Sequence, residues 1–223
     1  MKKRGISLFS IFILSSAIVF GQEIITAEKY LELVSDTYSG IRDYEASIAI
    51  RSGNSDMAGK VSYLTPSFIR IDFTRPAEQV IIFNRERLTI YLPEFRAVLD
   101  QEVSRTPGAL ATSQGLSILR RNYVPSFVTG PNPEPLDSGS GERVVKLRLS
   151  RRSVSEGFRE LIVSINPDTK LIRRIEGRTI AESEVRFDLT NIKTNLGIPE
   201  ARFIYDAPAS ANMYNNFLFR DAD

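Results

Sequence analysis

"PSFIRIDFTRPAEQVIIFNRERLTIYLPE", Pro66 to Glu94, holds three apolar-rich runs separated by turn residues, with no His, Cys or Trp among them. Between Ser67 and Phe73, apolar Ile69, Ile71 and Phe73 alternate with polar Ser67, Arg70 and Asp72, and only Phe68 breaks the pattern. A period of two marks a strand with one buried face. Val80 and Ile82 follow the turn at Thr74–Pro76, and Leu88, Ile90 and Leu92 follow the turn at Asn84–Arg87. Three short strands joined this tightly make an antiparallel meander.

The same alternation extends in both directions. "YEASIAIR" sets Tyr44, Ala46, Ile48 and Ile50 against polar or small partners, and "KVSYL" returns after the loop "SGNSD". Further strands are predicted at about 96–100, in "RVVKLRLS", "RELIVSIN", "KLIRRIEG" and "AESEVRFDLTNI", and last in "IPEARFIYDAP". That makes eleven, the signature of a sandwich, meander or barrel and not of alternating helix and strand units. Before them, Tyr30, Leu31, Val34, Tyr38 and Ile41 recur at three- and four-residue spacing. They predict a helix capped by Thr26 and stopped near Gly40. In mid-chain Leu110, Leu116, Ile118 and Leu119 predict short helical pieces, and the Pro-, Gly- and Ser-rich "TGPNPEPLDSGSGE" predicts a mobile surface loop.

Composition narrows the chemistry. The chain has 223 residues with neither His nor Cys, so no Ser–His–Asp or Cys–His site and no ordinary zinc site can be built. Without Cys there are no disulfides, and burial alone must hold the fold. Residues 1–21 run from Lys2, Lys3 and Arg4 through an apolar stretch of about 15 residues to small Gly21. That order is a signal peptide, cleaved after Gly21, and the stretch falls short of the roughly 20 residues of a spanning helix. An uncleaved anchor is the rival reading. The remainder, 22–223, reads as one domain with 26 Lys+Arg against 27 Asp+Glu. That balance offers nucleic acid little to bind.

Arg70, Arg148, Arg159, Arg173, Arg174 and Arg186 fall at the outward phase of strands. They read either as a solvated face paired with carboxylates or as a docking surface for an acidic partner. The inward phase carries the sharper signal. Ile69, Ile71, Phe73, Val80, Ile82, Leu88, Ile90 and Leu92 are expected along one side of three strands. Val145, Leu147, Leu149, Leu161, Val163 and Ile165 are expected along one side of two more. So much apolar surface must be covered, and two short helical covers leave room for a greasy cavity.

In "YLTPSFIRIDFTRPAEQVIIFNRERLTIYLPE", "VSINPDTKLIRRIEG" and "FDLTNIKTNLGIPEARFIYDAPA" the chain resembles the periplasmic outer-membrane lipoprotein carriers, LolA-like proteins. The resemblance implies a half-open antiparallel β-barrel of about eleven strands over lid helices, acting as a monomer without enzymatic activity or cofactor. It implies a cavity for lipoprotein acyl chains, loaded by an inner-membrane lipoprotein-releasing ABC transporter and emptied to an outer-membrane acceptor. On that reading the thirteen apolar residues from Ile69 to Val163 bind ligand, and Tyr30, Leu31, Val34, Leu116, Ile118, Leu119 and Thr65 belong to the lid. Thr65 stands where the family carries a lid-latching Arg, so either another residue latches the lid, Arg70 and Arg75 being the nearby candidates, or the lid is looser. A lipid or lipoprotein sensor of the same fold, a structural envelope protein and a secreted carbohydrate-active enzyme are the alternatives.

Overall fold

The computed structural model describes residues 25–103, 110–154 and 157–217. The proposed signal peptide and Leu218 and Phe219 lie outside them. Helix α1 (Ala27–Ser39) begins where Thr26 Oγ accepts from Lys29 N at 3.2 Å, as its cap role requires. Gly40 ends it in a right-handed conformation, so the stop does not use glycine's left-handed freedom.

Strands β1 (Asp43–Ser52), β2 (Ser55–Leu64), β3 (Phe68–Arg75), β4 (Val80–Asn84), β5 (Arg87–Leu92) and β6 (Ala97–Glu102) form the predicted meander. Helix α2 (Ser113–Asn122) interrupts it. Then come β7 (Tyr123–Phe127), the two-residue β8 (Glu134–Pro135), β9 (Arg143–Arg151), β10 (Phe158–Ile165), β11 (Ile172–Thr179), β12 (Glu184–Thr194) and β13 (Asn212–Asn215). They build one open sheet in the order β13-β6-β5-β4-β3-β2-β1-β12-β11-β10-β9-β7, with β8 beside β9. The half-open β architecture stands, with thirteen strands among the described residues instead of eleven. "IPEARFIYDAP" is not a strand; its centre, Glu200–Phe203, is a 3-10 turn.

Both helices lie on the inner face of the β7–β11 half. Leu147, Leu149, Leu161, Val163 and Ile165 are fully buried there in one cluster with Tyr30, Leu31, Val34, Leu116 and Leu119. Tyr30 meets Phe127 edge-on, their ring centroids 6.0 Å apart. The Tyr38 hydroxyl accepts from Ile172 N at 3.1 Å, so α1 is hydrogen-bonded as well as packed.

The outer face is strapped on both flanks. On one side Phe203 is buried over Phe68, Val80 and Ile82. Arg70 donates to the carbonyls of Arg202 and Ile204 at 3.1 and 3.2 Å, and Asp72 pairs with both Arg70 and Arg202. On the other side the segment 129–142, expected to be mobile, is tied down. Leu136 is buried, and Asp137 takes a two-pronged grip from Arg174 at 2.7 and 3.0 Å. Glu142 binds Arg173 at 2.9 Å. Proline and glycine fix turns here without loosening the loop, because partners that sequence does not reveal hold its carboxylates.

These straps titrate. Hydrogen bonding to Arg174 holds the Asp137 carboxyl below the usual range. Burial pushes Asp72 up, but Arg70 and Arg202 outweigh it, and Asp72 also ends below its ordinary value. A depressed folded pKa contributes stability that is present above the unfolded value, near ~3.9, and lost as pH falls through the folded one. Asp137→Asn should therefore lower Tm at pH 7 and cost progressively less below about pH 4. Melting curves of both proteins across pH measure it, and an equal gap at about pH 3 would show that charge is not what holds this strap.

One glycine is demanded by packing. A Cβ on Gly59 would lie 2.3 Å from the Asp72 carbonyl oxygen and 2.8 Å from Phe73 Cα, where β2 and β3 shift register. Backbone cannot swing aside as a side chain would. Gly59→Ala should destabilise by roughly 1–3 kcal/mol, read by denaturant unfolding.

Candidate functional site

The register across β3, β4 and β5 decides which predicted residues meet. Ile69 sits opposite Phe83 and Ile71 opposite Ile81, while Val80 and Ile82 stand opposite Asp72 and Arg70. Cross-strand partners share a face, so Val80 and Ile82 point outward, into the Phe203 cluster and away from Ile69 and Ile71. The expectation that all eight residues line one side is thus corrected. "VIIF" is apolar on both faces, and a shift of one residue exchanges them. Leu88 pairs with Phe83 and Ile90 with Ile81, so both, with Leu92, do share the inner face, half-buried.

A cavity of about 310 Å³ lies on that inner face. Its lining side chains are apolar apart from Tyr44, which carries a hydroxyl: Tyr44, Ile48 and Ile50 from β1, Val61 from β2, Ile69 and Ile71 from β3. Ile175 of β11 and Phe187 and Leu189 of β12 face them, with Leu110 and Ala111 leading into α2 and Phe158 at the start of β10. The strands converge because β1 pairs with β12, Ile48 opposite Leu189 and Ile50 opposite Phe187. Gly177 leaves space for the Phe158 ring; a Cβ there would stand 2.7 Å from it.

Of the thirteen candidate ligand residues, only Ile69 and Ile71 touch this space. Val145, Leu147, Leu149, Leu161 and Val163 are filled core beneath the helices. Phe73 is buried on the inner face outside the cavity, and Leu88, Ile90 and Leu92 continue the apolar inner face toward β6. The wall residues from β1 are not among the candidates, although the alternation in "YEASIAIR" displays them. What sequence does not display is the pairing of β1 with a strand some 140 residues later.

The lid candidates divide similarly. Tyr30, Leu31, Val34, Leu116 and Leu119 are buried between helices and sheet, whereas Ile118 is half-buried outside that cluster. Thr65 is exposed, its backbone N–H donating to the Arg42 carbonyl at 2.8 Å. Arg70 is no latch for the helices: it faces outward and grips the Phe203 strap. Arg75 is exposed and carries no ion pair among the described residues. Besides the Tyr38–Ile172 hydrogen bond and the Tyr30–Phe127 contact, the helices are tied by the Lys170 ammonium 5.4 Å from the Tyr30 ring centre and a Glu32–Arg120 pair at 3.9 Å between α1 and α2.

Residues 51–206 match the family model described as "Outer membrane lipoprotein carrier protein LolA". The chain belongs to the LolA family. It is similar to the outer-membrane lipoprotein carrier protein of Bordetella avium, 24% identical over 186 residues covering 81% of this chain and 82% of that one. The carrier of Leptothrix cholodnii is 25% identical over 197 residues, with 82% of each covered. Among solved structures, an uncharacterized conserved protein from Thermus thermophilus aligns with TM-score 0.56 at 14% identity, covering 85% of this chain and 98% of that one. A chain of the Pseudomonas aeruginosa MucA/MucB complex aligns with TM-score 0.50 at 16% identity, covering 83% of this chain and 62% of its own. Both share the fold of this LolA-family chain.

Proposed function

We propose that this LolA-family chain is a periplasmic carrier that shelters acyl chains of lipoproteins in the inner-face cavity and moves them between the two membranes. The supporting observation is the cavity wall, whose lining side chains are all hydrocarbon apart from Tyr44 and include no charged group. An acyl chain gains about 0.8 kcal/mol per methylene on leaving water, so a bare lipoprotein does not cross an aqueous space unaided. At about 310 Å³ the cavity stands at the lower end of ligand sites, roughly 300–1,000 Å³. A lipoprotein bearing several chains therefore requires α1 and α2 to move from the sheet, with the half-buried inner face at Leu88, Ile90 and Leu92 receiving the rest. Signal-peptide export, loading by an inner-membrane ABC transporter and delivery to an outer-membrane acceptor complete this reading. The test is native mass spectrometry of protein purified from its own periplasm, followed by transfer of the bound species to acceptor membranes. Co-purified lipoprotein that transfers supports carriage, whereas lipid that stays bound favours a sensor and refutes transport.

A further inference from the structure

The outer face of the sheet has a bare middle. The Phe203 strap covers β3 to β5, the 129–142 strap covers β9 to β11, and between them the outer face of β12, β1 and β2 has a central patch of small side chains edged by charged ones. Ser47, Ala49, Ala58 and Thr190 form the floor of a groove of about 850 Å³ that runs from Arg173 to Thr74. Small residues on a sheet face leave a trough where larger neighbours stand. Its depth is increased by register shifts at Glu45/Ser47 and at Ala58/Gly59, because a bulge bends the strand that carries it.

The walls are cationic. The groove and the recess continuous with it through Ala49, Ala58 and Asp188 carry seven Lys and Arg side chains against three carboxylates. Counting Asp137 and Glu142 of the adjoining strap still leaves a cationic excess. Asp188 is shared by Arg173, Arg174 and Arg186, at 3.2, 2.7 and 3.0 Å, and of these three only Arg173 and Arg174 have a further carboxylate, from the strap. Arg75 and Lys193 are exposed and have no ion-pair partner among the described residues.

We propose that this groove docks an extended acidic segment of a partner protein. Charge sets the sign of the occupant, and shape sets its class. Crossing from β11 to β3 covers four strand spacings, about 19 Å at ~4.8 Å each, the length of some six extended residues at ~3.3 Å. A flat anionic membrane would meet the straps on either side before reaching the recessed Ala49 and Ala58. A peptide backbone can lie between them, with Asp or Glu reaching both walls. The site is separate from the cavity on the opposite face, and it stands whether or not that cavity carries lipid.

The test is fluorescence anisotropy of a labelled peptide of alternating Asp and Ala, about ten residues long, titrated with the folded chain. Binding should weaken steeply between about 50 and 300 mM salt as charges are screened. Arg75→Glu with Lys193→Glu should raise Kd by about tenfold or more, since both positions change wall charge without breaking an existing pair. Ala49→Trp should do likewise by filling the floor at full charge, while melting curves verify that both variants fold. A Kd within about twofold of the parent in both variants overturns the groove. So does binding of phosphatidylglycerol vesicles, lost with Arg75 and Lys193, when the peptide does not bind, because the surface would then serve a membrane.

Discussion

Ile71→Glu should weaken fatty-acyl probe binding sharply while leaving the fold intact, if the inner-face cavity is the acyl site proposed above. Ile71 is half-buried on β3, opposite Val61 and beside Ile69 in the cavity wall. A carboxylate there faces hydrocarbon from three sides, and an unpaired charge in such surroundings is costly enough that it enters neutral or draws water in with it. Either outcome takes space and hydrophobic contact from an acyl chain. A fluorescent fatty-acid probe should bind about 100-fold more weakly at pH 7, equivalent to ~2.7 kcal/mol, or three or four methylenes' worth of transfer energy. Because the introduced acid titrates upward when buried, part of the affinity should return as pH falls toward about 5. Val80→Glu supplies the contrast. It lies on the same hairpin but faces the Phe203 cluster, so it should loosen the outer strap without touching probe affinity. Equal probe binding by Ile71→Glu and the parent protein would mean that acyl chains go elsewhere.

The contrast between Ile71 and Val80 also marks how far sequence carries. Strict alternation places β3, β5, β9 and β10 and assigns the right inner residues within each, since one polar and one apolar face leave a single choice. "VIIF" has no polar face, and its phase is set by the turn from Thr74 to Gln79, whose geometry is not a local sequence signal. β7 escapes prediction because Pro125 argues against a strand; at the sheet's edge the missing N–H costs no ladder bond. "RFIYD" reads as a strand, and Phe203 instead caps the outer face from a 3-10 turn, because the sheet there is already paired on both sides of β4. Helices are the easier case. Thr26 and the stripe from Tyr30 to Tyr38 are local signals, and local signals survive without tertiary information.

The cavity itself is legible only as an imbalance, too much apolar strand for too little helix. Its position depends on the two ends of the chain meeting at β1 and β12 and on α1 and α2 both settling over β9 to β11. That choice fills the side where Leu147 and Leu161 lie and leaves the side where Ile48 and Phe187 lie open. The Arg-rich outer face is legible only in part. Arg148 reaches Glu160 at 3.2 Å, as cross-strand pairing predicts, yet Arg173 and Arg174 spend their donors on a loop whose sequence shows no sign of attachment.

Filling the cavity and emptying the core should have opposite signatures. Val61 is buried on β2, opposite Ala46 and Ile71, with its methyls toward the void. In a close-packed interior Val61→Phe would force strain of roughly 1–3 kcal/mol. Here the ring has space to enter and apolar atoms to meet, so Tm should hold or rise while probe affinity falls about tenfold or more, because wall and ligand compete for one volume. Leu161→Ala works in reverse. Leu161 is fully buried in the helix-covered cluster, and its truncation should cost about 2–5 kcal/mol with probe affinity kept. Urea unfolding and probe titration on the two variants together decide the matter, and only an open, solvent-reachable hollow yields this crossed pattern. A densely filled interior would make both variants unstable, and the space assigned to cargo would be ordinary core.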